Sequence, residues 1–191
     1  MQNLERLPSD LPPPLDDGGS AHLPGLALPH CRLRSTQGGW VDAAAIPGRV
    51  VIYCYPMTGR PGQALPQGWD GIPGARGCTP QACAFRDHHA ELSELQTQVF
   101  GLSVQSSEYQ QEAAQRLHLP FALLSDADYE FTDALRLPTF EVDGKRLNKR
   151  LTLIARNGVI EHCFYPVFPP DLNSAQVLAW LRQHPQAQPP Q

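Results

Sequence analysis

The sequence lacks the features that mark several large classes of protein. No apolar stretch approaches the roughly 18 residues that a membrane-spanning helix needs. The formal net charge is only −4, and no run of Lys and Arg predicts contact with nucleic acid or an anionic membrane surface. Acidic residues and prolines interrupt the N-terminal segment, which is unlike a secretory signal. We therefore expect a cytoplasmic protein that binds neither nucleic acid nor membrane.

Cysteine is also scarce, with five in 191 residues. An odd count in a chain of this length argues against a disulfide scaffold, and a close pair in a reducing compartment is more often catalytic, redox-sensing or metal-binding. Cys78 and Cys83 form such a pair. Cys54 and Cys163 lie in predicted strands as small core residues, and Cys31 belongs to a predicted hairpin.

The chain divides into a central domain and two polar ends. Residues 1–24 are rich in Pro, Asp and Gly and are interpreted as an extended arm, disordered or draped over the domain. Residues 184–191 are interpreted as a flexible tail. Between them, residues 25–183 alternate between strand and helix patterns, which predicts one α/β domain with a central mixed β-sheet flanked by helices.

The predicted elements follow from apolar runs and turn signals. A Gly-Gly pair predicts an N-terminal β-hairpin at 31–41, and Asn157-Gly158 predicts a second hairpin. Asn173 is the expected N-cap of the last helix. The predicted strands span 49–55, 99–104, 121–124, 151–155 and 159–165, and the predicted helices span 79–96, 107–117, 128–135 and 173–182.

A segment of about twenty residues at 57–77 shows neither the apolar period of a helix nor that of a strand. It follows the strand at 49–55 and leads to Cys78, and reactive sites in such folds usually lie beyond the carboxyl ends of the central strands. Its glycines and prolines, with Trp69, are typical of an ordered loop that packs over a site. A variable surface insertion is an equally open alternative.

Cys78 lies where the predicted helix begins. Thr79 and Pro80 match an N-cap and a first helical residue, so the sulfur should face unpaired backbone N–H groups and the positive end of the helix dipole. Both favour the thiolate, which is the nucleophilic form. The simplest chemistry for this group is attack on a peroxide oxygen, which gives a sulfenic acid.

Cys83 is predicted on the polar side of the same helix, away from the apolar stripe where a structural cysteine is expected. Residues i and i+5 of an α-helix have Cα atoms about 8.6 Å apart. A disulfide needs a separation below about 7 Å. Pairing of Cys78 with Cys83 therefore requires the first turns of the helix to unwind.

Three other interpretations stay open on the residues alone. A zinc site would add His88 and His89 to the two cysteines, although the spacing is unusual and no second ligand pair lies nearby. A peroxide sensor or redox-relay binding protein would use the same cysteines without efficient turnover. A structural protein would carry inert thiols.

Several segments resemble the peroxiredoxins, and within them the bacterioferritin-comigratory or Q type. The stretch GCTPQACAFRD at 77–87 resembles the sequence around that group's two redox cysteines. Residues 51–56, 124–128 and 150–154 are similar to the strand before its active site, its Ser-Asp segment and the strand that opens with its active-site arginine. The resemblance covers roughly residues 26–182. It implies a thioredoxin-like fold, no metal or organic cofactor and a dithiol reductant such as thioredoxin.

The resemblance also implies a role for individual residues. Cys78 corresponds to the peroxidatic cysteine, Cys83 to the resolving one, and Arg150 to the group that holds thiolate and peroxide. Without the resemblance, Arg150 is only part of a basic cluster at 145–150 that favours a solvated surface. The implied function is reduction of hydrogen peroxide or organic hydroperoxides through an intramolecular disulfide. We expect a monomer or weak homodimer.

One family motif, Pro-x-x-x-Thr-x-x-Cys, is not intact. Counting back from Cys78 places Ala75 at the Thr position and Gly71 at the Pro position. Pro56 and Thr58 stand at the end of the preceding strand. The hypothesis is that Thr58 folds back beside the cysteine and supplies the hydroxyl that orients the peroxide.

Overall fold

The computed structural model describes residue 4 and residues 6–186, so most of the predicted flexible tail falls on 187–191, outside the described residues. The strands are β1 (Leu33–Ser35), β2 (Trp40–Val41), β3 (Arg49–Cys54), β4 (Thr97–Ser103), β5 (Leu123–Ser125), β6 (Thr139–Val142), β7 (Lys145–Asn148), β8 (Leu151–Arg156) and β9 (Val159–Phe164). The α-helices are α1 (Cys78–Asp87), α2 (His89–Glu94), α3 (Ser107–Arg116), α4 (Glu130–Ala134) and α5 (Asn173–Gln183). In this part of the chain, every helix is too short or too polar to cross a membrane.

A seven-stranded mixed sheet lies at the centre, in the order β2-β1-β5-β4-β3-β8-β9. β3 pairs in parallel with β4 and antiparallel with β8. The antiparallel register places Leu151, the first residue of β8, opposite Cys54, the last residue of β3. Arg150 directly precedes β8, so it lies at the sheet edge where the central parallel strands end. The predicted mixed sheet with an N-terminal hairpin is confirmed.

The two faces of β3 pack into two apolar cores, as the period of two along a strand requires. Ile52 packs with Phe131 of α4 and with Leu23 of the N-terminal segment. On the other face, Tyr53 stacks on Phe85 of α1 with ring centroids 4.6 Å apart. Burial of one such aromatic side chain contributes about 1.5–3 kcal/mol, so this contact fixes α1 firmly against the sheet.

The helix predicted at 79–96 is two helices in the structure, and the prediction of one continuous helix is wrong. α1 ends at Asp87 and α2 begins at His89, with His88 between them at φ −97° and ψ 8°. The Nδ1 atom of His88 lies 3.1 Å from the carbonyl oxygen of Ala84 and 2.9 Å from the hydroxyl of Ser174. This contact with α5 comes from tertiary packing, which helical periodicity does not reveal.

Asn173 does not cap α5, so that prediction is also wrong. Leu172 occupies the N-cap position, and Asn173 is the first helical residue. The Asn173 side chain turns into the core, where its Oδ1 accepts hydrogen bonds from Thr152 and Gln81. The side chain therefore hydrogen-bonds to residues that are distant in the sequence and does not cap the helix.

The hairpin of β6 and β7 was not predicted from the sequence, where β7 lies in the basic cluster. Asp143-Gly144 connects the two strands, with φ values of 49° and 68°. Asp-Gly between alternating residues is a strong hairpin signal, so the sequence held the information that was needed.

The described part of the N-terminal arm lies on the domain. Leu23 is fully buried in the core. The carboxylate of Asp17 accepts hydrogen bonds from Lys149 and from the hydroxyl of Tyr165 at 2.6 Å. Both contacts hold the arm against the sheet edge that carries Arg150.

Candidate active site

Cys78 is the first residue of α1 and is 4% exposed. The N-cap is Gly77, with φ 108°, so the expected N-cap at Thr79 is wrong by two residues. A side chain is strained at this φ and also lacks space, because an added Cβ at Gly77 would lie 2.3 Å from Pro170 and 2.8 Å from Leu7. The Cys78 sulfur still lies at the amino end of the helix, where the dipole favours negative charge.

Arg150 brings a positive charge to the Cys78 sulfur. Its Nη2 atom lies 3.1 Å from Sγ and also donates to the carbonyl oxygens of Ala75 and Arg76 at 3.0 and 3.2 Å. Nε donates to the carbonyl oxygen of Gly74 at 3.3 Å. The guanidinium is buried and permanently charged. The structure thus unites two residues separated by 72 positions in an arrangement that favours the thiolate.

A buried polar network extends from Arg150 away from the sulfur. Nη1 of Arg150 donates to Oε1 of Gln81, and Nε2 of Gln81 donates to Oδ1 of Asn173 at 3.0 Å. The Thr152 hydroxyl donates to the same Oδ1 at 2.7 Å. The roles of Gln81 and Asn173 were not predicted from the sequence. The only local signal was Gln81 itself, a polar residue in the first turn of the predicted helix.

The loop at 57–77 is ordered and packs over the site. It contains a 3₁₀ turn at Trp69–Gly71, and Trp69 is buried with Ala75 in a small apolar cluster. Arg76 forms an ion pair with Asp70 at 3.1 Å. The Ala75 side chain carries no hydroxyl, but its carbonyl oxygen accepts from Arg150 and lies 3.7 Å from Sγ of Cys78. The backbone of this loop therefore supplies the acceptors that hold the arginine.

The space beside the Cys78 sulfur is almost closed. A cavity of about 10 Å³ remains there, close to the smallest volume that holds one water molecule. Part of its wall comes from the arm, the strand end and the loop, through Leu4, Met57, Gly59, Leu65 and Trp69. The Cys78 side chain is therefore open to solvent over only a small part of its surface.

Thr58 lies close to the site but faces another partner. It is buried, its N–H and hydroxyl donate to Oε1 of Gln105 at 2.9 and 3.3 Å, and Nε2 of Gln105 donates back to its carbonyl oxygen at 3.2 Å. Its neighbours Met57 and Gly59 line the cavity at Cys78. The strand end therefore folds back beside the cysteine, and the role of the Thr58 hydroxyl stays a prediction.

Cys83 lies within the same regular helix as Cys78, so the unwinding argument applies to the folded protein. Its side chain is partly buried and packs against the apolar cluster that contains Tyr53 and Phe85. Cys83 is predicted on the polar side of the helix, and in the structure it is partly buried there, where α5 also packs on α1. All five cysteines are described, and none of them forms a disulfide.

The other three cysteines are shielded from reaction. Burial raises the pKa of Cys31 and of Cys163 to about 11, and it raises the pKa of Cys54 well above its ordinary value. At neutral pH all three are thiols, which are poor nucleophiles. The pair in α1 is therefore the candidate for reactive thiol chemistry.

The structure gives no support to a zinc site. Across residue 4 and residues 6–186, no group of three or more His, Cys, Asp or Glu side chains is placed to hold a metal ion. His88 contacts Ala84 and Ser174, and the ring of His89 lies 5.9 Å from that of Phe121. Both imidazoles take part in packing within the domain.

Comparison with known proteins identifies similar sequences. The Redoxin family model matches residues 23–179. Peroxiredoxin Bcp of Escherichia coli (strain K12) is 30% identical over 170 residues, which cover 84% of this chain and 96% of that protein. Chloroplastic peroxiredoxin Q of Oryza sativa subsp. japonica is 28% identical over 159 residues, or 83% of this chain. The matched region spans 66% of the rice protein, slightly less than two thirds of its length.

Solved structures show the same fold. Peroxidoxin BcpB from Mycobacterium tuberculosis superposes with a TM-score of 0.68 at 24% identity, covering 85% of this chain and 98% of that one. The bacterioferritin comigratory protein of Xanthomonas campestris, described for its alkyl peroxide reduction activity, has a TM-score of 0.64 at 20% identity. That match covers 93% of this chain and 100% of the other. The expected thioredoxin-like α/β fold is confirmed.

Proposed function

The chain belongs to the redoxin family and, within it, to the peroxiredoxins of the bacterioferritin-comigratory or Q type, and from this membership we propose that it is a thiol-dependent peroxidase. The Cys78 thiolate attacks the terminal oxygen of hydrogen peroxide or an organic hydroperoxide. The O–O bond breaks, the sulfur becomes a sulfenic acid, and water or an alcohol leaves with one added proton. The residue roles, the substrates and the reductant are all part of this proposal.

The observation that carries the proposal is the contact between Arg150 and Cys78. A buried guanidinium 3.1 Å from the sulfur favours the nucleophilic thiolate. The same charge, with the N–H groups at the start of α1, stabilises the negative charge that develops on the departing oxygen. The other three cysteines lack this arrangement and stay protonated at neutral pH.

The second half of the cycle uses Cys83. Its thiol condenses with the Cys78 sulfenic acid, which forms a disulfide and releases water. A dithiol reductant of the thioredoxin kind then reduces that disulfide by exchange and is itself oxidised. A monomer or weak homodimer in the cytoplasm that binds neither nucleic acid nor membrane stays a prediction.

Peroxide consumption by the wild type, Cys78→Ser and Cys83→Ser tests the proposal. With a thioredoxin system both variants should lose activity, whereas with a monothiol reductant only Cys78→Ser should. Cys163→Ser is a matched control, since that thiol is kept protonated by burial. A Cys78→Ser variant that consumes peroxide at the wild-type rate would refute the assignment. Consumption of only one equivalent per chain would support a peroxide sensor instead.

A further inference from the structure

Asn173 occupies an unusual position for an asparagine at the start of a helix. Its side chain is fully buried, and so are those of its two hydrogen-bond partners, Gln81 and Thr152. Its Oδ1 accepts from both, while its Nδ2 has no hydrogen-bond partner among the described residues. A buried amide that leaves one group unpaired destabilises the folded state. The position of Asn173 at the start of α5 does not by itself require a side chain with an unpaired amide group.

The direction of each hydrogen bond is fixed by the arginine. A guanidinium can only donate, so Gln81 must present its oxygen to Arg150 and its nitrogen to Asn173. Asn173 must then present Oδ1, and Thr152 must donate to it. The unpaired Nδ2 of Asn173 is the consequence of this order.

The network also fixes the plane of the guanidinium. The loop carbonyls of Gly74, Ala75 and Arg76 accept from Nε and Nη2. Gln81 accepts from Nη1, which no loop carbonyl contacts. Loss of the Gln81 contact would leave the guanidinium held only through Nε and Nη2, so that its orientation toward the sulfur would be less tightly fixed.

We propose that Asn173 is a positioning residue for the peroxidase reaction. Through Gln81 it holds the Arg150 guanidinium with Nη2 directed at the Cys78 sulfur, and Thr152 holds Asn173 in turn. This inference rests on the proposed function, since it assigns α5 a role in that reaction. It links a helix nearly one hundred positions after Cys78 to the reactivity of the thiol.

The test measures the rate at which iodoacetamide alkylates Cys78 as a function of pH, in a Cys83→Ser background. Asn173→Ala should move the pH of half-maximal rate upward by about one unit. Below that midpoint, the alkylation rate should then be about tenfold lower than in the wild type. Peroxide turnover at neutral pH should fall by a similar factor.

Ser174→Ala is the matched control. Ser174 is equally buried in the same turn of α5, but its hydroxyl bonds to His88 and not to the network of Arg150. It should lower thermal stability without moving the pH profile. If Asn173→Ala and Ser174→Ala leave the profile equally unchanged, the proposal is overturned. Where Asn173→Ala does not fold, Thr152→Val removes the donor to Oδ1 and must move the profile in the same direction.

The other ionisable groups around the sulfur keep the same charge in all of these variants. Burial raises the pKa of Tyr53 and of Tyr55, so both stay neutral through the assay. Arg76 keeps its ion pair with Asp70 in the loop. Alkylation needs no peroxide, so a shifted profile in a protein that consumes no peroxide would refute the proposed function and leave the positioning of Arg150 intact.

Discussion

At the scale of single residues, the site depends on which groups donate hydrogen bonds and which accept them. Arg150 donates to three loop carbonyls, to Gln81 and to the Cys78 sulfur. All of these partners accept, so the charge is held without a carboxylate that would neutralise it. The positive field is therefore directed at the sulfur, where it favours the thiolate.

Thr58 permits a test at the same scale. If its hydroxyl leaves Gln105 and orients the peroxide during the reaction, Thr58→Val should lower turnover about tenfold, the effect of losing one hydrogen bond of about 1.4 kcal/mol. Thr58→Ser keeps the hydroxyl and should stay close to the wild type. Steady-state peroxide consumption measures both. Unchanged turnover in Thr58→Val would show that the hydroxyl acts only on Gln105.

At the scale of elements, α1 has to satisfy two opposing requirements. In the proposed reaction it must be intact to present Cys78 to Arg150, and it must unwind before Cys83 can reach the oxidised sulfur. The segment before and at the start of α5 holds it at both ends, through Pro170 against Gly77 and Ser174 against His88. Local unfolding of α1 therefore has to break these contacts first.

Gly77 is the residue on which the start of α1 depends. Gly77→Ala should destabilise the fold by about 2 kcal/mol or more, because a side chain is strained at positive φ and collides with Pro170. Thermal unfolding measures the loss. Gly71→Ala is the control, since its added Cβ meets no atom of the described residues within 4 Å and its φ is not positive. Equal stability of the two variants would contradict this account.

At the scale of the whole molecule, the arm covers the site. Leu4 lines the cavity beside Cys78, Leu7 packs near Gly77, and Pro14 lies 3.4 Å from the position of a Cβ on Gly74. Access to the sulfur therefore depends on segments from both sides of the domain. Movement of the arm would open the site without a change in the central sheet.

Asp17 anchors this arm and makes its attachment depend on pH. The hydrogen bond from Lys149, followed by that from Tyr165, holds the pKa of Asp17 well below its ordinary value. A lowered carboxyl pKa stabilises the attached state above the ordinary value of about 3.9, and this contribution declines as the pH falls below it. The side chain is 46% exposed, so solvent screening reduces the effect.

Asp17→Asn should therefore loosen the arm at neutral pH. Amide hydrogen exchange in the arm and alkylation of Cys78 should both become faster than in the wild type. The difference in exchange should shrink as the pH is lowered below about 4. Asp16→Asn is the control, because the Asp16 carboxylate accepts a hydrogen bond from the backbone N–H of Gly18, which lies within the arm itself. Identical exchange in the two variants at neutral pH would contradict an anchor at Asp17.

By itself, the sequence determined the features that depend on neighbouring residues. The apolar run of β3, the Asn157-Gly158 turn and the cysteine pair near a helix start are local patterns, and all are present in the structure. The tertiary structure alone decided that Asn173 leaves its cap position for Gln81. The family resemblance implies the contact of Arg150 with the Cys78 sulfur, whereas the basic cluster at 145–150 taken by itself favours a solvated surface. Such choices depend on partners that folding brings together from distant parts of the chain, and burial, rather than local propensity, selects among them.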